Sequence, residues 1–137
     1  MITLILGNKG SGKTKRLIAL CNKATEESKG NVVFVEKEGI LIYDISHRAR
    51  LVVVDEYGVN GYEDLYGFIS GMCAGNYDIT DFFVDSTIKI GGQDFEKLAD
   101  FIERLASLSE KCSTNIFLSV SADAAQLPER MTKYMTE

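Results

Sequence analysis

Residues 7–14, Gly7-Asn8-Lys9-Gly10-Ser11-Gly12-Lys13-Thr14, hold the residue types and spacing with the clearest chemical purpose in the chain. They satisfy the pattern G-x-x-x-x-G-K-[ST] in full. Four residues between the outer glycines make a loop wide enough to circle a phosphate. Glycine keeps side chains out of the loop, so backbone N–H groups point inward. A helix opening directly behind it adds free N–H groups and a dipole that favour an anion. Lys13 supplies a cation within reach of the outer phosphates of a nucleoside triphosphate, and Thr14 a hydroxyl ligand for Mg²⁺. The expected phosphate-binding set is Gly7, Asn8, Lys9, Gly10, Ser11, Gly12, Lys13 and Thr14. Lys13 is also expected to act on the transferring phosphate, and Thr14 on the metal.

Such a loop must sit between a buried strand and a helix, and the sequence provides both. Residues 2–6 are an apolar, branched run ended by Gly7, which reads as a buried strand. Over 13–29, Leu17, Leu20, Cys21 and Ala24 recur at helical spacing, with Gly30 as a stop. Residues 31–35 form a second strand, and 40–45 pair back across Glu36-Lys37-Glu38-Gly39 as a possible hairpin. A further strand covers 51–54. Asn60 is placed to cap a helix through 63–74, with Glu63 completing a near capping box. Residues 81–84 are a strand that 88–90 extend or leave. Asp94 caps the cleanest helical pattern, Phe95 to Cys112, and 115–120 form the last strand. Pro128 suits the first turn of a short helix to about Met135. Repeated strand–helix–strand units predict an α/β/α three-layer fold with a mostly parallel five-stranded sheet, in one domain over 1–137.

A phosphate loop that works with Mg²⁺ needs a carboxylate at the tip of another buried strand. Val52-Val53-Val54-Asp55-Glu56 offers Asp55, with Glu56 next to it as a base. Phe82-Phe83-Val84-Asp85-Ser86 offers Asp85.

Taken together, the chain resembles the P-loop NTPases, and the resemblance covers the whole alternating pattern. The order after Asp85, a helix and then Ile116-Phe117-Leu118-Ser119-Val120-Ser121, is similar to the RecA-like ATPases. That resemblance implies Asp85 as the Mg²⁺ residue, with Glu38, or less well Glu36, as the catalytic glutamate after the second strand. It also places Ser119 and Ser121 where the γ-phosphate is sensed. The alternative, Asp55 for the metal with Glu56 as base, looks like AAA-type ATPases and the thymidine-kinase family. The resemblance implies ATP and Mg²⁺ as cofactors. Asp55-Glu56-Tyr57-Gly58 spells the DxxG of GTPases, but no Asn-Lys-x-Asp accompanies it, so ATP is preferred over GTP. Tyr43, Tyr62 and Tyr134 are candidate adenine stackers. Arg130 is the candidate arginine finger, supplied in RecA-like rings by a neighbouring subunit; Arg16 and Arg104 read as solvated.

Composition bounds the rest. The chain has 137 residues, 45% hydrophobic and 26% charged, with one proline and a net charge of −5. That is a globular domain's composition, and the acidic balance argues against a free-standing nucleic-acid binder. Cys21, Cys73 and Cys112 lie on apolar helix stripes with one histidine, His47, in the chain, so a zinc site or disulfide framework is not expected. No apolar run approaches a membrane span and Met1 leads straight into a strand pattern, so a cytoplasmic protein is expected. The functional expectation is a Mg²⁺-dependent ATPase acting as motor, switch or regulatory subunit. The alternatives are a small nucleoside or metabolite kinase and a nucleotide-binding assembly protein with little turnover. A homo-oligomer or protein partner is expected to complete the site.

Overall fold

Five of the apolar runs form strands, and every pairing between them is parallel. The computed structural model describes residues 1–135. In chain order these are β1 (Ile2–Leu6), α1 (Lys13–Glu27), β2 (Asn31–Glu36), β3 (Ala49–Val53), α2 (Tyr62–Gly75), β4 (Ile79–Val84), α3 (Thr87–Gly91), α4 (Phe95–Cys112) and β5 (Asn115–Val120). Short 3-10 turns occupy Val54–Tyr57, Ala124–Gln126 and Glu129–Tyr134. The sheet order is β1-β5-β4-β2-β3, so β5 is inserted between β1 and β4. No helix among the described residues is long and apolar enough to cross a membrane.

Neighbouring residues on a strand face opposite sides, and the two cores follow from that alternation. Leu4, Val33, Val35, Phe82, Val84 and Leu118 face one side, where α2 and α4 cover them. Ile5, Val32, Phe34 and Phe83 face the other, under Leu17 and Cys21 of α1. On the α1 side Phe34, Phe83 and Phe117 stand in register across β2, β4 and β5. Their rings are nearly parallel, with centroids 6.4 Å and then 4.8 Å apart. This ladder ties three strands to one register, since a one-residue slip would turn every ring to the wrong face.

α4 forms where its pattern predicts. The Asp94 carboxylate accepts from the N–H groups of Glu96 and Lys97 at 3.1 and 3.2 Å. Leu98, Phe101, Ile102, Leu105 and Leu108 are buried, each worth about 1.5–3 kcal/mol on transfer from water.

Among the described residues every strand pairing is parallel, in keeping with the expected sheet. Other local details differ from expectation. Residues 40–45 form turns, not a strand, because β2 already has β4 on one edge and β3 on the other. α2 starts at Tyr62 behind Gly61 without a side-chain cap, and the Asn60 N–H instead donates to Asp64 at 3.0 Å. Of the two courses open to residues 88–90, they leave the strand and form part of the single-turn helix α3. The segment after Pro128 is 3-10 rather than α-helical, with Met131 fully buried.

Replacing Phe83, 1% exposed at the centre of the ladder, by alanine should lower the unfolding free energy by about 3–5 kcal/mol. Urea denaturation followed by circular dichroism measures this, and a loss under about 1 kcal/mol would contradict the ladder's part in the core.

Candidate functional site

In an all-parallel sheet every strand ends on the same edge, and ligands of such sheets bind outside that edge. The loop 7–14, Glu36, Asp85, Ser119 and Ser121 all come to it. Gly10 and Gly12 adopt φ of 85° and 88°, a left-handed backbone that suits glycine and turns the loop tightly into α1. The Ser11 N–H donates to Asn8 O at 3.0 Å, and Lys13 Nζ reaches back to the same carbonyl at 3.4 Å. No side chain caps the start of α1, so its first N–H groups keep their donor capacity toward the loop.

Across from the loop stands Asp85, 6% exposed, one residue past β4. Thr14 Oγ1 donates to Asp85 Oδ1 at 3.0 Å. Ser119 Oγ, on β5, donates to the same oxygen at 2.8 Å and accepts from the Ser86 N–H, also at 2.8 Å. Ser86 Oγ donates to Asp85 Oδ2 at 3.2 Å. The carboxylate therefore joins α1, β5 and the β4–α3 turn. Ser86 sits at φ 53°, a left-handed conformation rare for a residue with a side chain. The network over-determines that strained turn, a pattern frequent at ligand sites.

A cleft of about 470 Å³ opens beside this network. It is lined by Lys9, Lys13 and Thr14 from the loop side, Ser86 from the β4–α3 turn, Lys89 from α3, and Ser121 beyond β5. Next to it, a depression of about 60 Å³ carries Glu36, Glu38, Asp85 and Lys89. Glu38 is exposed there. Glu36 is buried, and its carboxylate accepts from the N–H groups of Ile40 and Leu41, at 2.6 and 3.1 Å. It organises the turn that follows β2.

Asp55 and Glu56 lie elsewhere. They are exposed in the Val54–Tyr57 turn after β3, at the far edge of the sheet, with three strands between β3 and β1. Asp55 pairs with Lys37 at 3.0 Å. The tip of β4 comes to the loop, and the tip of β3 does not. Strand order decides this, and strand order is not written in either local sequence.

Arg130 is bound within its own chain. Its guanidinium is engaged by Glu96 (3.2 Å), Asp100 (2.9 Å) and Glu103, all on α4 of its own chain. It clamps the C-terminal 3-10 turn to α4. Tyr62, the first residue of α2, is buried with its ring against Gly91 and Phe101, and its hydroxyl donates to Gly92 O at 2.6 Å. Tyr43 is almost wholly exposed. Arg104 pairs with Glu63 at 3.0 Å and lies over the Tyr66 ring. The three cysteines are free, and burial pushes the Cys21 and Cys73 thiols up to about 12.

Sequence reading passed over Lys89 and the part of Ser86. The available signal was Asp85-Ser86 followed by one amphipathic turn closed by Gly91-Gly92.

No protein-family model and no curated protein matches the chain. Among solved structures it is similar to the pCW3 conjugation coupling protein TcpA, in its monomer form with ATPγS. The identity is 16% and the TM-score 0.56, over 96% of this chain and 46% of that one. This chain thus spans about half the length of TcpA. At that identity the fold is what the two share. With the parallel sheet, it bears out the expected α/β/α architecture.

The buried Glu36 makes stability at the site depend on pH. Burial raises its carboxyl above the ordinary 4.5, the N–H groups of Ile40 and Leu41 pull it down, and the Asp85 charge raises it. The net shift is upward, so the folded chain holds this proton where the unfolded chain has released it. Its contribution to stability is full below pH 4.5 and falls as pH rises through the raised value. Urea midpoints of the wild type should therefore drop relative to Glu36→Gln as pH rises across that window. A constant difference between the two would contradict the shift.

Proposed function

We propose that the chain is a single P-loop nucleotide-binding domain that holds Mg·ATP in the cleft behind residues 7–14 and hydrolyses it. The observation that carries this reading is the 3.0 Å hydrogen bond from the Thr14 hydroxyl to the buried Asp85 carboxylate. Two oxygens suited to one hard cation meet at the mouth of a cleft lined by three lysines, in a chain of net charge −5. The loop N–H groups and Lys13 would bind the β- and γ-phosphates.

The residues fit Mg²⁺. This ion takes oxygen ligands, keeps several waters and borrows phosphate oxygens, so one or two protein oxygens suffice. Thr14 Oγ1 and Asp85 would hold it directly or through water. Among the described residues no group of three or more His, Cys, Asp or Glu is arranged to hold a metal by itself. Mg²⁺ bound there supplies neutralisation of charge on the outer phosphates.

Glu38 is the remaining carboxylate of the acidic depression, and we assign it the orientation of the attacking water. Its exposure and its place beside Asp85 support this, and the engagement of Glu36 by backbone N–H groups leaves that carboxylate a turn-organising role. Glu56 and Asp55 take no part. Adenine is favoured over guanine by the lack of an Asn-Lys-x-Asp element and by the ATPγS held by TcpA.

Thermal unfolding with Mg·ATP tests the site. Ligand at 100 times Kd should stabilise the wild type by about 2.7 kcal/mol. Lys13→Ala should lose that gain, and Asp85→Asn should lose the part that depends on Mg²⁺, while Asp55→Asn keeps both. No gain in the wild type at millimolar Mg·ATP would overturn the reading.

The base assignment is tested separately by turnover. Glu38→Gln should lower the ATPase rate by roughly 10²–10⁴ with nucleotide affinity intact, the usual worth of positioned acid–base help. A rate lost in Glu56→Gln instead would move the base to the other acidic pair.

A further inference from the structure

We infer that Lys89 is the cation that reads the γ-phosphate from within the same chain; this rests on the Mg·ATP reading above. A triphosphate site that distinguishes ATP from ADP needs charge at the third phosphate, and such charge accelerates γ-phosphoryl transfer. Lys13 belongs to the loop and serves the β- and γ-phosphates alike. Arg130 is held by three carboxylates of α4.

Lys89 meets three requirements. It lines both the loop cleft and the acidic depression, so it stands on the ridge between Lys13 and Thr14 on one side and Asp85 and Glu38 on the other. The γ-phosphate and the attacking water of the proposed reaction would meet along that ridge. Its ammonium makes no ion pair or hydrogen bond among the described residues, although 20 acidic residues are available in the chain. In an acidic protein, a lysine left unpaired beside three carboxylates keeps its charge free for an anion.

The third requirement is a fixed base. A five-residue helix is far too short to hold itself. α3 is held by its surroundings instead. Ile90 is 2% exposed, and the Gly61 N–H donates to Ile90 O at 2.9 Å. The Tyr62 hydroxyl donates to Gly92 O, and the Tyr62 ring lies so close that a Cβ on Gly91 would stand 2.0 Å from it. At the other end, the strained Ser86 turn is tied to Ser119 and Asp85. The backbone carrying Lys89 is thus locked to the same carboxylate that faces Thr14. A γ-phosphate bound there links the loop to α3, and its loss on hydrolysis releases that link. Lys89 therefore makes the site prefer the triphosphate over the diphosphate.

Calorimetric titration of Mg·ATP and Mg·ADP into wild type, Lys89→Ala and Lys89→Arg tests this, with ATPase rates on the same samples. Lys89 is exposed, so circular dichroism should show both variants folded. Lys89→Ala should weaken ATP by roughly 10-fold or more while ADP stays within about twofold, as loss of one charge-assisted bond requires. Its turnover should fall by on the order of 10³, and Lys89→Arg should recover part of both. An ATP-to-ADP affinity ratio equal to the wild type's in Lys89→Ala overturns the inference and leaves the nucleotide reading standing. A wild type that binds neither nucleotide overturns the nucleotide reading, and this inference with it.

Discussion

The carboxylate of Asp85 ties together the parts of the molecule that would do chemistry. It is buried, and a buried charge is tolerated only when it is hydrogen-bonded on several sides. Thr14, Ser86 and Ser119 supply those bonds from α1, the β4–α3 turn and β5. None of the three is near Asp85 in sequence except Ser86. They meet because β5 is inserted between β1 and β4, which sets the loop helix across one strand from the β4 tip. The phenylalanine ladder through Phe34, Phe83 and Phe117 keeps that register from slipping. Core packing on one face of the sheet thus fixes the geometry of the polar edge.

Two carboxylates end neighbouring strands on that edge, and their partners give them different duties. Asp85 faces hydroxyls, which can turn to serve a cation instead. Glu36 faces backbone N–H groups of its own following turn, which cannot be released without unravelling it. One is bonded to rotatable hydroxyls and the other to backbone N–H groups of a turn, although both sit at the end of an apolar strand. Beyond them, α3 is held by Tyr62 and by the Ser86 turn, so the site's far wall is rigid at both ends.

The readable parts of the sequence were those whose cause is local. The loop, the strands at 2–6, 31–35 and 115–120, and the Asp94 cap each follow from a few adjacent residues. The hairpin at 40–45 failed because its partner edge on β2 was taken by β3, a fact about strand order. Ile88 and Ile90 alternate as a strand would, yet they lie in a helical turn whose Ile90 O accepts from the Gly61 N–H and whose Gly91 packs against the Tyr62 ring. Asp55 and Asp85 look alike in sequence, each closing an apolar run, and differ by their distance from β1 across the sheet. Arg130 follows the last strand, and the three acidic residues that engage it lie on α4, about thirty positions earlier, beyond the reach of a local reading. Lys89 went unnoticed for the same reason, since its place on the ridge depends on where α3 is pinned.

We propose that Thr14 and Asp85, not Asp55, face the metal of a bound nucleotide. Anomalous diffraction from Mn²⁺, in crystals grown with Mn²⁺ and ATPγS, locates that ion directly. A peak beside Thr14 Oγ1 and Asp85, close enough for direct or one-water coordination, with nucleotide density along residues 7–14, is the predicted result. A peak at Asp55, or nucleotide bound with no metal near Asp85, would contradict the account.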